Sequence, residues 1–341
     1  MCNDANFRSE NIIISWLLEN CEFRKVESAE FIFDRMESQS YQCLPLLYKP
    51  FNPQMRMHFS DRGSILDFSL VTGPGVILDV GPGDGWPILL IAPFAKKVIG
   101  IEPSLKRVEI CRENAMKLGI TNAEFVHIET AENLPFEDNF FDGVTASSSV
   151  EQSPDVKKLL SEIYRVLKPG GKLRMFNETL ERYRDGKEYE IWVHAENAEV
   201  VDLIFYERFI DEEFVRQFRL STTITKAELL QIFDGQNLSI EFKNISTDML
   251  DEIKDRITDS VVMLTEHPSH STMQRILHEV GFSNVITTVN GGDFAEKLFD
   301  NVGDAMNFTT LKDVDNYLRP LVKTVIEIDS IGESAMITAV K

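Results

Sequence analysis

The segment from Val76 to Ser104 reads VILDVGPGDGWPILLIAPFAKKVIGIEPS. Its first five residues, 76–80, are apolar except for one acid, which is typical of a central parallel strand buried on both faces. The glycine turn GPGDG at 81–85 follows, where missing side chains let a ligand approach the backbone closely. An apolar helical stretch leads to a second strand, which ends in Glu102. This order predicts the nucleotide-binding half of a doubly wound α/β fold.

The glycine spacing indicates which nucleotide the turn holds. A dinucleotide site requires G-x-G-x-x-G, whose third glycine lets the helix and strand pack closely. Here the glycines follow G-x-G-x-G, and Trp86 occupies the position of that third glycine. Asp79 and Asp84 add negative charge, which would repel a pyrophosphate and suits a cation. S-adenosylmethionine has a sulfonium and an ammonium group beside its adenosine, so the charges favour it over NAD. Glu102 is then placed to accept hydrogen bonds from the ribose hydroxyls.

Composition limits the classes of partner. The chain has 341 residues, of which 43% are hydrophobic, enough for one large domain or for one domain with a sizeable appendage. Its net charge is −20. Such an acidic chain is not expected to bind nucleic-acid phosphates or an anionic membrane surface.

Cysteine and histidine spacing predicts no metal site. The four cysteines form no C-x-x-C pair, which predicts reduced thiols in a cytoplasmic protein. Pro268 separates His267 from His270 and breaks any helix that would align them, so His270 or Ser271 is expected to cap the following helix instead. The chain begins without a basic signal-peptide region, and no apolar run reaches the roughly 18 residues of a membrane span.

Two further motifs continue the nucleotide unit. The sequence TAENLPFED at 130–138, followed by FFDGV at 140–144, resembles the D-A-E-x-L-P-F…F-D-x-V signature of the methyltransferases of ubiquinone and menaquinone biosynthesis. The turn VLKPGGKL at 166–173 is similar to one that is common throughout class I S-adenosylmethionine-dependent methyltransferases. The resemblance runs over residues 76–177, and its ordered matches argue against an NAD-binding fold.

The resemblance implies a Rossmann-like sheet of seven strands with helices on both faces and S-adenosylmethionine as the cofactor. In that family, the residue before the motif's alanine usually bonds the adenine amino group, and this position is Thr130 here rather than an acid. The cofactor residues predicted from the turn and the resemblance are Asp79, Gly81, Pro82, Gly83, Asp84, Gly85, Glu102, Pro103, Thr130, Ala131, Glu132 and Ser147.

The implied reaction is in-line transfer of a methyl group to a small-molecule acceptor. The segment SSSVEQ at 147–152 aligns with the methyl-transfer end of the family's site, although the usual histidine is missing. A base is required only when the acceptor arrives protonated. Glu151 is the first candidate for that base and His194 the second, with Gln152 near the acceptor. Nothing in the sequence separates O-, N-, C- and S-methylation.

Periodicity predicts where the helices and strands of the core lie. The predicted helices are Ser64–Leu70, Ile88–Phe94, Leu105–Leu118, Leu159–Leu167 and Ser271–Val280. The predicted strands are Val76–Val80, Val98–Ile101, Phe125–Ile128, Gly143–Ser147, Leu173–Phe176, Val285–Val289 and Ala335–Val340.

Outside the core, the chain is expected to carry a lid and two insertions. Tyr41, Tyr48 and His58 are either side chains that the lid lowers onto a substrate or ordinary packed and half-exposed side chains. The first insertion would form an antiparallel sheet that either walls the acceptor pocket, with Trp192, His194, Tyr206 and Arg208 as candidates, or makes a homodimer interface. The predicted divisions are an N-terminal helical lid at 1–70, a cofactor-binding core at 71–180, an inserted β-rich subdomain at 181–266, and the C-terminal part of the core at 267–341 with a helical insertion at 291–331.

Two other classes of protein stay open at this point. The missing histidine after Val150 favours a non-catalytic S-adenosylmethionine-binding protein whose insertions mediate a protein interaction. A Rossmann dehydrogenase is the second alternative, and both Trp86 and the motif at 134–136 oppose it.

Overall fold

The structure is a computed structural model that describes residues 11–27, 31, 52, 54–195, 201–233, 239–303, 308–329 and 336–341. The chain divides into two compact units. The small unit comprises Met1–Ile32 and Leu180–His267, and the large unit comprises Phe33–Thr179 and Pro268–Lys341. Tyr41 and Tyr48 of the predicted lid lie outside the described residues.

Helices and strands alternate along most of the described chain. The helices are α1 (Ile12–Asn20), α2 (Arg56–Thr72), α3 (Ile88–Ile91), α4 (Leu105–Leu118), α5 (Val156–Val166), α6 (Lys226–Ile232), α7 (Thr247–Asp251), α8 (His270–Val280), α9 (Gly291–Val302) and α10 (Leu311–Val325). The strands are β1 (Arg24–Lys25), β2 (Val76–Val80), β3 (Lys97–Glu102), β4 (Ala123–His127), β5 (Phe141–Ser147), β6 (Leu167–Phe176), β7 (Tyr189–Ala195), β8 (Val201–Phe209), β9 (Phe214–Thr222), β10 (Ser239–Glu241), β11 (Ile257–Glu266), β12 (Ser283–Thr288) and β13 (Met336–Val340).

The large unit is built on a seven-stranded sheet with the order β12-β13-β6-β5-β2-β3-β4. Strand β13 runs antiparallel to both of its neighbours, and the remaining pairs are parallel. Strand β2 pairs with β3 on one side and with β5 on the other, so the strand order reverses at β2. Ligands of such sheets bind beyond the carboxyl ends of the strands where the order reverses. The predicted seven-stranded Rossmann-like sheet is confirmed.

Helices cover both faces of this sheet. Along β2, Ile77 belongs to an apolar cluster with residues of α3 and α4, such as Val108. The next residue, Leu78, belongs to a second cluster with residues of α5 and α8, such as Leu160 and Leu277. Successive side chains of a strand point to opposite faces, so the alternation places one helical layer on each side. This arrangement confirms the fold class predicted from the sequence.

The helix before β2 is longer than predicted. The sequence indicated Ser64–Leu70, whereas α2 spans Arg56–Thr72. Its buried face includes Asp67, a polar residue that interrupts the apolar periodicity. Asp67 is stable there because Arg174 of β6, 107 residues away, donates hydrogen bonds of 2.6 and 2.9 Å to its carboxylate. A local pattern cannot indicate so distant a partner.

Several further boundaries differ from the predictions, and two of the differences have a local cause. The predicted helix Ile88–Phe94 is divided into α3 and a 3₁₀ turn at Ala92–Phe94, where Pro93 lacks the N–H that a continuous helix needs. Helix α8 is capped by Ser269, whose hydroxyl accepts a hydrogen bond from the Thr272 backbone at 3.2 Å. The cap predicted at His270 or Ser271 is therefore wrong by one or two positions.

The small unit contains a six-stranded sheet with the order β1-β11-β9-β8-β7-β10. The pairs among β7 to β11 are antiparallel, and β1 adds a parallel edge to β11. One face packs on α1, where Leu17 joins Phe205 and Phe218 in a single apolar cluster. The sequence analysis gave this sheet two possible roles, as a wall of the acceptor pocket or as a homodimer interface. Both roles stay predictions.

None of the helices in the described residues is long and apolar enough to cross a membrane.

Candidate functional site

The glycine turn after β2 has a backbone that only glycine adopts easily. Gly81 and Gly83 have φ angles of +69° and +60°, in the left-handed region. A Cβ on Gly81 would lie 2.7 Å from the Cβ of Ser149. The Ser149 hydroxyl donates a 2.6 Å hydrogen bond to the carbonyl oxygen of Val80, at the end of β2. The segment after β5 therefore packs directly on the turn and needs a glycine there.

Glu102 fixes the turn from the neighbouring strand. It is buried at the end of β3, and its carboxylate accepts hydrogen bonds from the backbone N–H groups of Gly83 at 3.0 Å and Ser104 at 3.3 Å. The carboxylate predicted to bind ribose thus also holds the turn. An ionised carboxylate offers about four lone-pair sites, so these bonds are compatible with the predicted ribose contact.

Asp79 places a second buried carboxyl group beneath the turn. Its Oδ1 accepts a 2.7 Å hydrogen bond from the Thr145 hydroxyl of β5, and its Oδ2 is buried with no hydrogen-bond partner among the described residues. Burial raises the pKa of Asp79 to about 8, and the nearby charge of Glu102 adds to the shift, while the Thr145 hydroxyl and the backbone N–H of Ile88 oppose it. A cation beside this site would favour the ionised form of Asp79.

Helix α4 supports the turn from behind. The Cys111 thiol donates to the Gly83 carbonyl oxygen at 3.3 Å, and the Asn114 amide donates to the Asp84 carbonyl oxygen at 2.8 Å. Arg107 lies beside the turn, 2.9 Å from the position a Cβ on Gly83 would take. Burial raises the pKa of Asp84, and the charge of Arg107 opposes that shift.

These α4 residues were not among the sequence predictions. Arg107, Cys111 and Asn114 are spaced four and three residues apart, so they share one helix face. That spacing, on the helix directly after the carboxylate-ending strand, is the signal that could have identified them.

The predicted adenine loop is tied to the start of α5. The Thr130 hydroxyl accepts a hydrogen bond from the Glu132 backbone at 3.2 Å. The Glu132 carboxylate accepts one from the Asp155 backbone at 3.1 Å. On the other side, His127 Nε2 donates to the Pro103 carbonyl oxygen at 3.0 Å. The cofactor contacts assigned to Pro103, Thr130, Ala131 and Glu132 stay predictions.

Glu151 lies beyond the end of β5, where the sequence predicted the acceptor. It is buried in a 3₁₀ turn, and its Oε1 accepts a 3.2 Å hydrogen bond from the Glu178 backbone N–H. Its Oε2 is buried with no hydrogen-bond partner among the described residues. Burial raises the pKa of Glu151 to about 8, and the charge of Glu178 adds to the shift. The group is thus a carboxyl that changes protonation near neutral pH.

Ser147 and Gln152 flank this carboxyl group along the chain. Ser147 is the last residue of β5 and pairs with Phe176 of β6. The Gln152 amide donates a 2.7 Å hydrogen bond to the carbonyl oxygen of Ser148, which has a φ of +50°. Gln152 therefore stabilises the bend that leads from β5 to Glu151.

Asn177 is a buried polar residue that the sequence analysis missed. It follows β6 directly, and its Nδ2 donates a 3.1 Å hydrogen bond to the Pro268 carbonyl oxygen. Its Oδ1 is buried with no partner among the described residues. His270 Nε2 donates to the Asn177 carbonyl oxygen at 3.2 Å. The signal was a polar residue at the carboxyl end of a buried strand, the position that Glu102 occupies on β3.

Of the remaining predicted residues, His58 is buried on α2 of the large unit, and those of the inserted sheet belong to the small unit. His194 is buried on β7, opposite Asp202 of β8. The Arg208 guanidinium lies between the rings of Tyr183 and Tyr206, 3.9 and 4.4 Å from their centroids, and pairs with Glu190. This packing gives Arg208 a structural role. The catalytic role assigned to His194 stays a prediction.

Comparison with known proteins identifies the central region. Residues 78–175 match the methyltransferase domain family. The chain is 36% identical over 124 residues to sterol 4-C-methyltransferase strm-1 of Caenorhabditis elegans, covering 36% of this chain and 37% of that protein. It is 41% identical over 99 residues to the ubiquinone/menaquinone biosynthesis C-methyltransferase UbiE of Brucella canis, covering 28% and 36%. A solved methyltransferase from Aquifex aeolicus, described as SAM dependent, aligns with a TM-score of 0.35 and 26% identity, covering 42% of this chain and 73% of that chain.

The matched region contains both the glycine turn and the strands that surround it. The chain therefore contains a class I S-adenosylmethionine-dependent methyltransferase domain, as the resemblance predicted. The chain spans 36 to 61% of the length of the curated relatives it matches.

S-adenosylmethionine is the cofactor of this domain, and the residues present fit it. The turn leaves its backbone open where Cβ atoms would otherwise stand, and Glu102 lies at the end of β3. Asp79 has an unpartnered buried oxygen, which suits a ligand with positive charge. Trp86 stands where a dinucleotide site requires a glycine.

We expect the variant Gly83→Val to lose affinity for S-adenosylhomocysteine by at least about tenfold, or about 1.4 kcal/mol. A β-branched residue resists a φ of +60°, so the turn and its bond to Glu102 would shift. Isothermal titration calorimetry measures the affinity, and thermal melting measures the accompanying loss of stability.

Gly170→Val is the matched control, because Gly170 has a φ of +80° and open space around its Cβ position. This variant should lose stability and keep its affinity. Equal affinities for the two variants would contradict the assignment of the turn.

Proposed function

We propose that this protein transfers the methyl group of S-adenosylmethionine to a small-molecule acceptor. The observation that carries the proposal is a left-handed glycine turn enclosed by two buried carboxyl groups, Asp79 and Glu102, at the ends of adjacent parallel strands. The sequence matches to named methyltransferases support the same reaction class.

The chain's own residues would bind the cofactor, orient the acceptor and accept its proton. When bound, S-adenosylmethionine supplies an activated methyl group on a positively charged sulfur. The turn and Glu102 would hold the adenosine, and Asp79 would stabilise the positive charge. Ser147, at the end of β5, would lie near the methionine portion. The site must then align the acceptor with the methyl group at about 3–3.5 Å and exclude water.

Glu151 is proposed as the general base. It lies in the segment that follows β5, and its unpartnered Oε2 is available to accept a proton. A pKa of about 8 is close to the working range of most enzymes, where a general base is most effective. Two relatives are named as C-methyltransferases. A carbon acceptor becomes nucleophilic by losing a proton, so the same base would serve carbon, oxygen and nitrogen acceptors.

The remaining predicted roles extend this proposal. Gln152 would shape the acceptor end through its bond to Ser148, and His194 would be an alternative base. We also propose a cytoplasmic location, because Cys21 and Cys111 are both free thiols. Nucleic acid is not proposed as a partner of so acidic a chain, and a homodimer through the six-stranded sheet stays a proposal.

Labelled methyl transfer tests the proposal directly. The protein would be incubated with S-adenosylmethionine carrying an isotopically labelled methyl group and with a small-molecule metabolite pool. Mass spectrometry should detect one labelled product and an equal amount of S-adenosylhomocysteine. Cofactor binding without any labelled product would contradict methyl transfer and favour a non-catalytic binding protein. Binding of NAD instead of S-adenosylmethionine would favour a dehydrogenase.

We expect the rate to depend on the protonation of Glu151. With any acceptor identified in this way, kcat/KM should rise as the pH increases through about 8, because only the ionised carboxylate accepts a proton. Glu151→Gln should lower kcat by about 10²–10⁴-fold and abolish the rise. A pH–rate profile of the wild type and the variant measures both effects.

Glu178→Gln is the control for this profile. It keeps the base and removes a negative charge that raises the pKa of Glu151, so the rise should move to lower pH. An unchanged profile in Glu151→Gln would rule out Glu151 as the base.

A further inference from the structure

Three polar side chains of the large unit are held beyond the carboxyl ends of β5 and β6. We call Glu151, Asn177 and His270 the edge cluster. Glu151 is bonded to the backbone of Glu178, and His270 is bonded to the backbone of Asn177, so all three are attached to one short segment after β6. Each of these hydrogen bonds, and the one from Asn177 to Pro268, joins a side chain to a backbone atom.

Each member of the edge cluster presents a hydrogen-bond acceptor. The bond from Asn177 Nδ2 to the Pro268 carbonyl assigns the amide orientation, and it leaves Oδ1 as the unpartnered atom. Glu151 is held through Oε1, and its unpartnered Oε2 is an acceptor in the ionised form, which prevails above the pKa of about 8. His270 must carry its proton on Nε2, because a carbonyl only accepts, and its Nδ1 is then an acceptor. Burial lowers the pKa of His270, which favours this neutral form.

Buried acceptors without a donor are costly, and most buried polar atoms in proteins are paired. The described residues supply no donor to Glu151 Oε2 or Asn177 Oδ1. A ligand that brings its own O–H or N–H groups would satisfy them. An apolar group or a thioether would leave both oxygens buried and unpaired.

We propose that Asn177 determines acceptor specificity, its Oδ1 accepting a hydrogen bond from a hydroxyl or amine group of the molecule that is methylated. This inference rests on the proposed methyl-transfer function and adds the substrate class to it. A site built to bond an O–H or N–H group rejects analogues that lack it by large factors, about 10⁴–10⁵ in favourable cases.

The proton balance of the reaction is complete with these groups. The acceptor's hydroxyl, its amine, or a carbon conjugated to either one gives a proton to the Glu151 carboxylate and takes the methyl group. The carbon–sulfur bond breaks, and its electron pair neutralises the sulfonium. The protonated Glu151 then returns its proton to water.

Chemical blocking of the metabolite pool tests the inference with the intact protein. Acetic anhydride converts hydroxyls to esters and amines to amides. The untreated pool should yield a labelled methyl product, and the acetylated pool should lose it. Mild base then restores hydroxyls but leaves amides, so recovery of labelling identifies a hydroxyl acceptor and continued loss identifies an amine.

Two outcomes would overturn the inference, and they are distinguishable. Equal labelling of the acetylated and untreated pools would disprove the donor requirement while methyl transfer itself stands. No labelling of either pool, with S-adenosylhomocysteine still bound in calorimetry, would disprove methyl transfer and the inference with it.

The variant Asn177→Leu tests the residue itself. It removes Oδ1 at similar side-chain size, and kcat/KM for the identified acceptor should fall at least about 100-fold. Affinity for S-adenosylhomocysteine should stay within about twofold, which separates acceptor recognition from cofactor binding. Asn122→Leu is the matched control, because the Asn122 side-chain amide donates to the carbonyl oxygens of Ala92 and Ala95 before β3, and this variant should keep its activity. Unchanged kcat/KM in a folded Asn177→Leu protein would overturn the assignment.

Discussion

The site depends on one constraint, which is that two carboxyl groups are kept away from water at the ends of adjacent parallel strands. Asp79 of β2 and Glu102 of β3 are both buried, and hydrogen bonds from the Thr145 hydroxyl and from backbone N–H groups reach their carboxyl oxygens. Burying such charge is unfavourable unless hydrogen bonds or a cation compensate for it. Glu102 is compensated by backbone N–H groups, and that requirement fixes the glycine turn. Asp79 keeps an oxygen without a partner, and that feature points to a positively charged ligand.

A similar arrangement of buried polar groups lies at the carboxyl ends of β5 and β6, where we propose that the second substrate binds. Glu151 is held through one oxygen by a backbone N–H, as Glu102 is, and keeps the other oxygen for a ligand. Its partner strand contributes Asn177, whose amide is oriented by a backbone carbonyl. In this proposal, β2 and β3 would provide negative charge for the cofactor, and β5 and β6 would provide hydrogen-bond acceptors for the molecule to be methylated. Helix α4 supports the glycine turn between β2 and β3 through Cys111 and Asn114.

Short sequence patterns predicted the features that depend on residues close together in the chain. The buried strand β2, the glycine turn and the capped helix α4 follow from apolar runs, missing side chains and terminal glycines, and their positions agree closely with the structure. Features set by distant contacts were missed or misplaced. The burial of Asp67 on α2 was missed because its stabilising partner, Arg174, lies on another strand. Asn177 was overlooked because its importance arises from burial and from a bond to Pro268, 91 residues away.

The central claim is that buried negative charge beneath the glycine turn favours a positively charged sulfur. The most direct measurement compares the Kd of S-adenosylmethionine with that of S-adenosylhomocysteine, which lacks the sulfonium charge, by calorimetry between pH 6 and pH 9. Burial raises the pKa of Asp79 to about 8, so ionisation in this range should strengthen the preference for S-adenosylmethionine severalfold, and Asp79→Asn should remove that increase. A preference that stays constant with pH in the wild type, or that moves toward S-adenosylhomocysteine, would contradict the account.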